Sequence, residues 1–426
     1  CIGTMLFTSI YGIVDGLCVS NFVGKTAFAA VNLIMPLPML LGTIGFMLGT
    51  GGSAIVGITL GEGDQKKADR YFTLFLLAAL VSVSVLAVLG IVFLRPIAVL
   101  LGAKGELLDY AVRYGRILMV SLPTFALQNM FQSFFVTAEK PHLGFWFTVG
   151  AGCTNMVLDV LMVGIWGWGV EGAAIATFIS QLVGGVLPVF YFIDRSNSSR
   201  LHLCKTSFYS KVLRDACING SSELMTNLSM SLVNILYNYQ LLRLAGENGV
   251  AAYGVIMYAA FLFVAVFVGY AVGSAPIVSF HYGARNHAEV HNLYRKSLRL
   301  IALVAVTLTL ASMFIIPCVA RIFVGYDAEL LALTSRAFRL YALSFLIMGF
   351  NVYASSFFTA LGDGVTSALI SFLRTLAFQV IAILLLPLLL GIDGIWLAVT
   401  AAELAALAVS AAMLLTKDKV FHYRKA

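Results

Sequence analysis

Stretches of about 20 residues nearly free of charge recur along this chain from end to end, each long enough to cross a hydrocarbon core about 30 Å thick as a helix. With 60% of its 426 residues hydrophobic and 11% charged, such a chain cannot build a water-soluble surface. Apolar runs separated by charged or Gly/Pro punctuation predict helices over 1–22, 32–58, 71–94, 113–138, 142–164 and 172–193. Six more are predicted over 214–242, 250–279, 297–320, 336–360, 366–390 and 394–416. The expected fold class is an all-α polytopic membrane protein of about 12 transmembrane helices. The first run meets the start of the sequence so abruptly that its helix is expected to be incomplete there, and nothing before it reads as a signal peptide.

The longest polar stretch, Asp194 to Arg214, divides the runs six and six. It predicts an amino-terminal lobe over 1–193, a linker over 194–213, a carboxy-terminal lobe over 214–416 and a tail over 417–426. Cytoplasmic loops are enriched in Lys and Arg, and about 17 of the 27 basic residues fall on one side when loops alternate. Lys66, Lys67, Arg70, Lys140, the linker basics, Arg285, Arg295, Lys296, Arg299 and the tail share that side, which places both termini in the cytoplasm. The net charge of +7 is thereby explained by orientation in a membrane, and no nucleic-acid partner is expected.

The two halves repeat one another at an offset of about 222 residues. Gly-Ser-Ala at 52–54 returns at 273–275, and Glu-Leu-Leu at 106–108 returns at 329–331. Arg113 and Arg116 are matched by Arg336 and Arg339, Ser133-Phe134-Phe135 by Ser356-Phe357-Phe358, and GVEG (169–172) by GIDG (391–394). Each copy holds an even number of spans and so starts and ends on the same side, which makes these parallel, pseudo-symmetric six-helix repeats.

Hydrocarbon tolerates ionisable groups poorly, so those within spans are where chemistry is sought. Five qualify: Asp15, Asp159, Glu223, Arg374 and Glu403. Asp159 lies one turn after Asn155 on the same helix face, and with Asp15 and a hydroxyl such as Thr177 it could bind a proton or a small hard cation. Equally, each Asp could simply hold neighbouring helices together by hydrogen bonds. Glu223, Asn227, Ser231, Asn234 and Asn238 follow at steps of four, four, three and four, a continuous stripe expected to line a substrate cavity or to bond another helix. Gln128, Gln132, Asn351 and Ser355 on the matching fourth and tenth helices are further candidates for cavity lining. Arg374 and Glu403 are expected to pair as a structural ion pair.

Other signals lead nowhere. Gly24-Lys25-Thr26 lacks the glycine of a phosphate-binding loop five residues earlier, where Val19 stands. The segment GTGGSA (49–54) has no preceding strand and suits close helix packing instead. His281, His287 and His291 read as a solvated face, the six cysteines show no metal or disulfide spacing, and no nucleophile–base set emerges. Neither an enzyme nor a cofactor is expected.

The segments VDGLCVSNFVGKTAFAAVNL, GITLGEGDQKKADRYF with its counterpart VSFHYGARNHAEVHNLY, and GVEGAAIAT with its counterpart GIDGIWLAV resemble the multidrug and toxic compound extrusion (MATE) transporters, and the likeness runs over nearly the whole chain. The resemblance implies an ion-coupled antiporter that exports organic, often cationic amphiphiles in exchange for H⁺ or Na⁺. It also implies a cation site at Asp15, Asn155, Asp159, Thr177 and Tyr114. A second site of the kind one branch carries is not implied, because Glu223 lies about two turns too early and the tenth helix has no carboxylate. A monomer in the plasma membrane is expected, with small organic substrates and the lipid bilayer as partners. Two rivals stand beside it: a lipid-linked oligosaccharide flippase, which needs several basic residues in its cavity where only Arg374 is present within the spans, and a non-transporting membrane binding protein.

Overall fold

The computed structural model describes residues 1–10, 25–101, 103–324 and 328–423, apart from the side chains at 25, 26, 28, 29, 32, 247, 258, 319, 322 and 323. Among the described residues every regular element is helical. The chain divides into two compact units, the first over Gly3–Gly220 and the second over Ser221–Ala426.

The first unit begins with α1 (2–10), α2 (Lys25–Ile34) and α3 (Pro36–Gly61), followed by the long α4 (Gln65–Leu100) and α5 (Glu106–Thr137). Next come α6 (Pro141–Asp159) with a π turn over Val160–Ile165, α7 (Gly169–Gln181) with a π turn over Leu182–Val186, α8 (Leu187–Ile193) and α9 (Ser210–Asn219). Proline opens both α3 and α6, where its missing N–H is harmless. A ring cluster of Phe72, Phe131, Phe134, Phe135 and Phe192 fills one end of the unit, with Phe131 stacked on Phe192 at 5.5 Å. On α4 the exposed Leu77, Val81, Val85, Val88 and Val92 recur every three or four residues, an apolar outer face that suits acyl chains rather than water.

Glycine lets α3 come within backbone contact of its neighbours. A Cβ at Gly45 would strike the carbonyl of Ala126 on α5, and one at Gly49 would meet the Met130 Cα at 3.0 Å. Gly45→Val is therefore expected to cost about 3 kcal/mol or more, the upper end for overpacking. The loss should appear as a collapsed monodisperse peak and a lowered Tm in detergent, and an unchanged Tm would contradict this packing.

The second unit starts with α10 (Ser221–Gly283), which turns at Gly246, where φ 61 and ψ −151 suit glycine alone. It continues with α11 (His287–Val324), α12 (Ala328–Ala342), α13 (Phe345–Ala360), α14 (Gly364–Phe372) with a π turn over Leu373–Ala377, α15 (Phe378–Leu390), α16 (Ile392–Thr416) and α17 (Asp418–Phe421). After α16 the chain folds back: Lys417 pairs with Asp363 at 2.9 Å, and the buried Tyr423 donates its hydroxyl to the Leu414 carbonyl at 2.7 Å.

Two sequence expectations are corrected. The seventh helix, expected as one rod over 214–242, is broken at Gly220, which presses on the Met47 carbonyl so closely that no side chain would fit. The tenth, expected over 336–360, is bent by 46° between α12 and α13 at Leu343 and Ser344. Eight helices among the described residues are long and apolar enough to cross a membrane singly, and this bent pair makes a ninth. The protein is a multi-pass membrane protein.

The stretch expected as a linker is bound to the first unit over much of its length. His202 donates its backbone N–H to Asp69 at 3.0 Å, Cys204 donates to the Thr73 hydroxyl at 3.1 Å, and the Thr206 hydroxyl donates to the Arg70 carbonyl at 2.8 Å. Lys140 and Glu139 hold Ser198 and Arg200 at 2.8 and 3.2 Å.

The internal repeat is written into local structure. Asp64 caps the N–H of Lys67, as Asn286 caps that of Glu289. Gly169 and Gly391, with φ 60 and 59, turn the chain into α7 and α16. Arg113 then pairs with Glu171 at 3.7 Å in the first unit, and Arg336 pairs with Asp393 in the second, the same clasp in each copy.

Candidate functional site

Two interior polar regions and one helix face hold the candidate residues. In the first unit, α6 delivers Asn155 and Asp159 one turn apart, both buried, with Asp159 completely so. The helix widens into its π turn directly after Asp159, a distortion frequent at functional positions. Asn155 Nδ2 donates to Thr177 Oγ1 on α7 at 3.5 Å, and that hydroxyl in turn donates to the Ala173 carbonyl at 3.0 Å. The Oδ1 of Asn155 is buried without a hydrogen-bond partner among the described residues. Tyr114 on α5 is wholly buried, its hydroxyl 4.0 Å from the sulfur of Met35. Asp15 lies outside the described residues. All the polar groups gathered here are oxygens or amides, which suit a proton or a hard cation.

Sequence reasoning missed Gln181, one turn beyond Thr177 on α7. It is buried, and its Oε1 has no hydrogen-bond partner among the described residues. A π turn follows it too, and Gly184 in that turn leaves room for Gln128: a Cβ there would meet the Gln128 amide at 2.8–2.9 Å. Gln128 is thus nearly enclosed beneath α7, and Gln132 is half-buried. The i, i+4 spacing from Thr177 was the available signal, as was the repeat, which sets Gln181 opposite Glu403.

In the second unit, Arg374 donates from Nε to Glu403 Oε1 at 2.8 Å. Asn351 Nδ2 donates to Glu403 Oε2 at 2.7 Å, and its own Oδ1 accepts from the Ser410 hydroxyl at 2.9 Å. Ser355, Ser367, Ser371 and Thr359 form a second buried hydroxyl cluster at 2.7–2.9 Å. Asn351 and Ser355 therefore belong to closed interior networks, which corrects the expectation that they line a cavity. Facing helices supply enough partners to satisfy both.

The stripe on α10 behaves differently. Ser222, Ser229, Val233, Tyr237 and Leu241 are buried and form the face turned to the unit's own core, while Leu232, Ile235, Tyr239 and Leu242 form an exposed, largely apolar face. Glu223, Asn227, Ser231, Asn234 and Asn238 occupy a third sector, roughly a third of a turn from each of the others, and are half-buried or exposed. Within it Asn227 donates to the Glu223 carbonyl at 2.9 Å and Asn238 to Asn234 Oδ1 at 3.2 Å. The histidines gather no metal site: among the described residues no group of three His, Cys, Asp or Glu could hold one.

Comparison with known proteins gives a consistent result. A family model described as MatE matches residues 1–161 and 224–385. The multidrug export protein MepA of Staphylococcus saprophyticus is 21% identical over 425 residues, covering 98% of this chain and 92% of its own. Two solved structures share the fold at a TM-score of 0.93 and 23% identity, each covering all of this chain: MATE in complex with MaL6, 95% covered, and an outward-facing multidrug resistance MATE transporter of the MOP superfamily, 94% covered. The match of the family model over both repeats shows that the chain belongs to the MATE family of membrane transporters.

Proposed function

We propose that the protein exports organic, often cationic amphiphiles across the plasma membrane by alternating access, as an antiporter driven by H⁺ or Na⁺. The observation that carries this reading is the buried pair on α6: Asp159, with no surface exposure, one turn from Asn155, whose Oδ1 has no hydrogen-bond partner among the described residues. An ionised carboxylate so placed is expensive, and a bound proton or Na⁺ relieves that cost. Asn155 Oδ1, the Asp159 carboxylate and the Thr177 hydroxyl would hold the ion, with Asp15 and Tyr114 completing the set. A change of charge there shifts the conformational equilibrium if the two states bind the ion unequally. The name of the relative MepA, a multidrug export protein, supports the substrate class. On this reading both termini are cytoplasmic, and the α10 stripe of Glu223, Asn227, Ser231, Asn234 and Asn238 faces substrate.

Proteoliposomes carrying the purified protein and a fluorescent organic cation test the proposal. A pH gradient and a Na⁺ gradient, each imposed alone, should differ in effect, with one of them driving accumulation against the dye gradient. Equal, gradient-independent flux under both would overturn it.

A further inference from the structure

We propose that the outer face of α11 in the second unit binds an anionic phospholipid, with Arg295, Lys296 and Arg299 taking the headgroup phosphate and the apolar residues beyond them taking the acyl chains. The site concerns the bilayer around the protein and is independent of what the protein exports.

Helix α11 has two opposite faces. Val290, Ser297, Ile301, Ala305 and Ser312 are buried, Ser297 accepts from the Tyr270 hydroxyl at 2.8 Å, and Tyr294 packs on Phe357 at 5.4 Å, so this side is turned into the unit. On the other side the exposed Leu300, Leu303, Val306, Leu310 and Phe314 recur every three or four residues, a stripe suited to acyl chains. Arg295, Lys296 and Arg299 fall in the same sector, at the end of the stripe nearest the start of the helix, and all three are exposed. None of them has a hydrogen bond or an ion pair among the described residues. Arg321, exposed in the same sector, lies about 33 Å beyond Arg299 along the helix, close to the thickness of a hydrocarbon core. Arg299 therefore stands at one boundary of the apolar layer and Arg321 at the other.

The matching helix of the first unit is arranged differently. The shared caps at Asp64 and Asn286 set α4 and α11 in register, and α4 carries the same i, i+1, i+4 set of basic residues as Lys66, Lys67 and Arg70, close to its start. That register puts Thr73, Leu74 and Leu77 opposite Arg295, Lys296 and Arg299, so the charges of α11 lie two turns, about 10 Å, further along their helix. In α4 the intervening turns are covered, with Thr73 accepting from the Cys204 N–H at 3.1 Å and Leu74 buried. In α11 the cations run straight into the acyl-facing stripe at Leu300. Loop charges that only orient a span need no such depth. Three like charges at the edge of hydrocarbon repel one another, and a phosphodiester relieves them, since Arg takes it with two parallel bonds and Lys as a point charge. A zwitterionic headgroup brings its own cation to the same place, so a lipid of net negative charge is favoured.

Native mass spectrometry of the purified protein, titrated with dioleoylphosphatidylglycerol and separately with dioleoylphosphatidylcholine, reads the preference directly. The native protein should retain the anionic lipid at least about tenfold more tightly, a factor within reach of three basic residues worth about fivefold each. Arg295→Gln, Lys296→Gln and Arg299→Gln combined should remove that preference. Lys66→Gln, Lys67→Gln and Arg70→Gln combined should change it less than about twofold. All six side chains are exposed, so both variants should keep the native Tm in detergent. Inorganic phosphate at the concentration of the lipid should not displace it; displacement would make a soluble anion the occupant and overturn the proposal. Equal losses in the two triple variants, or no preference in the native protein, would overturn it as well.

Discussion

Asp159→Asn is expected to abolish gradient-driven efflux while leaving a folded, membrane-inserted protein. The amide has the volume of the carboxylate, so the closed packing at the end of α6 survives. What disappears is the capacity to change charge, and a group with equal affinity for its ion in both states shifts no equilibrium. Couplings of this kind are typically worth about 1–3 kcal/mol, or 5–150-fold. Accumulation of a fluorescent cation in proteoliposomes should therefore fall by at least about tenfold, to the level of passive leak, with the Tm in detergent little altered. Undiminished driven transport in this variant would remove Asp159 from the mechanism.

The second large effect concerns stability. Glu403→Ala strands the Arg374 guanidinium and deprives Asn351 of its acceptor at the centre of the second unit, where Glu403 has no exposed surface. Breaking one side of a buried pair costs about 3–5 kcal/mol, because the remaining charge is left without compensation. Replacing both partners with methionine should restore much of that loss, since apolar side chains of similar volume carry no desolvation penalty. Thermal unfolding of the two variants in the same detergent decides the matter. If the double replacement is as unstable as the single one, the pair contributes through something other than uncompensated charge.

Much of this architecture could be read from the chain because membrane spans obey one strong rule, that backbone and apolar side chains must suit hydrocarbon for about 20 residues. The GVEG and GIDG segments both open helices, as the repeat implied, and Arg113 and Arg336, singled out only as part of that repeat, prove to clasp the acidic residues of those segments. The spacing of Asn155 and Asp159, and that of the α10 stripe, gave each helix face directly.

What stayed hidden depends on packing. The bend between α12 and α13 falls at Leu343 and Ser344, with neither glycine nor proline to mark it, whereas α5 carries Pro123 and stays a single helix. The break at Gly220 arises from contact with Met47, nearly 175 residues away in sequence, and no local pattern reports such an encounter. Nor do the π turns beside Asp159, Gln181 and Arg374 have a compositional signature. Asn351 and Ser355 were read as lining because a pair one turn apart looks the same whether it meets water or a partner helix.

The clasp at Arg113 and Glu171, echoed at Arg336 and Asp393, has a consequence for how this protein can diversify. In each pair the acidic partner sits in the first turn of its helix and the arginine is largely exposed, so the charged contact is cheap and guides only the path of the chain. The same clasp stands in both copies while their interiors differ, with Gly152 and Gln181 in the first at the repeat positions where the second has Arg374 and Glu403. New specificity can thus arise in either half by exchanging a handful of enclosed side chains, with the route of the polypeptide unaltered.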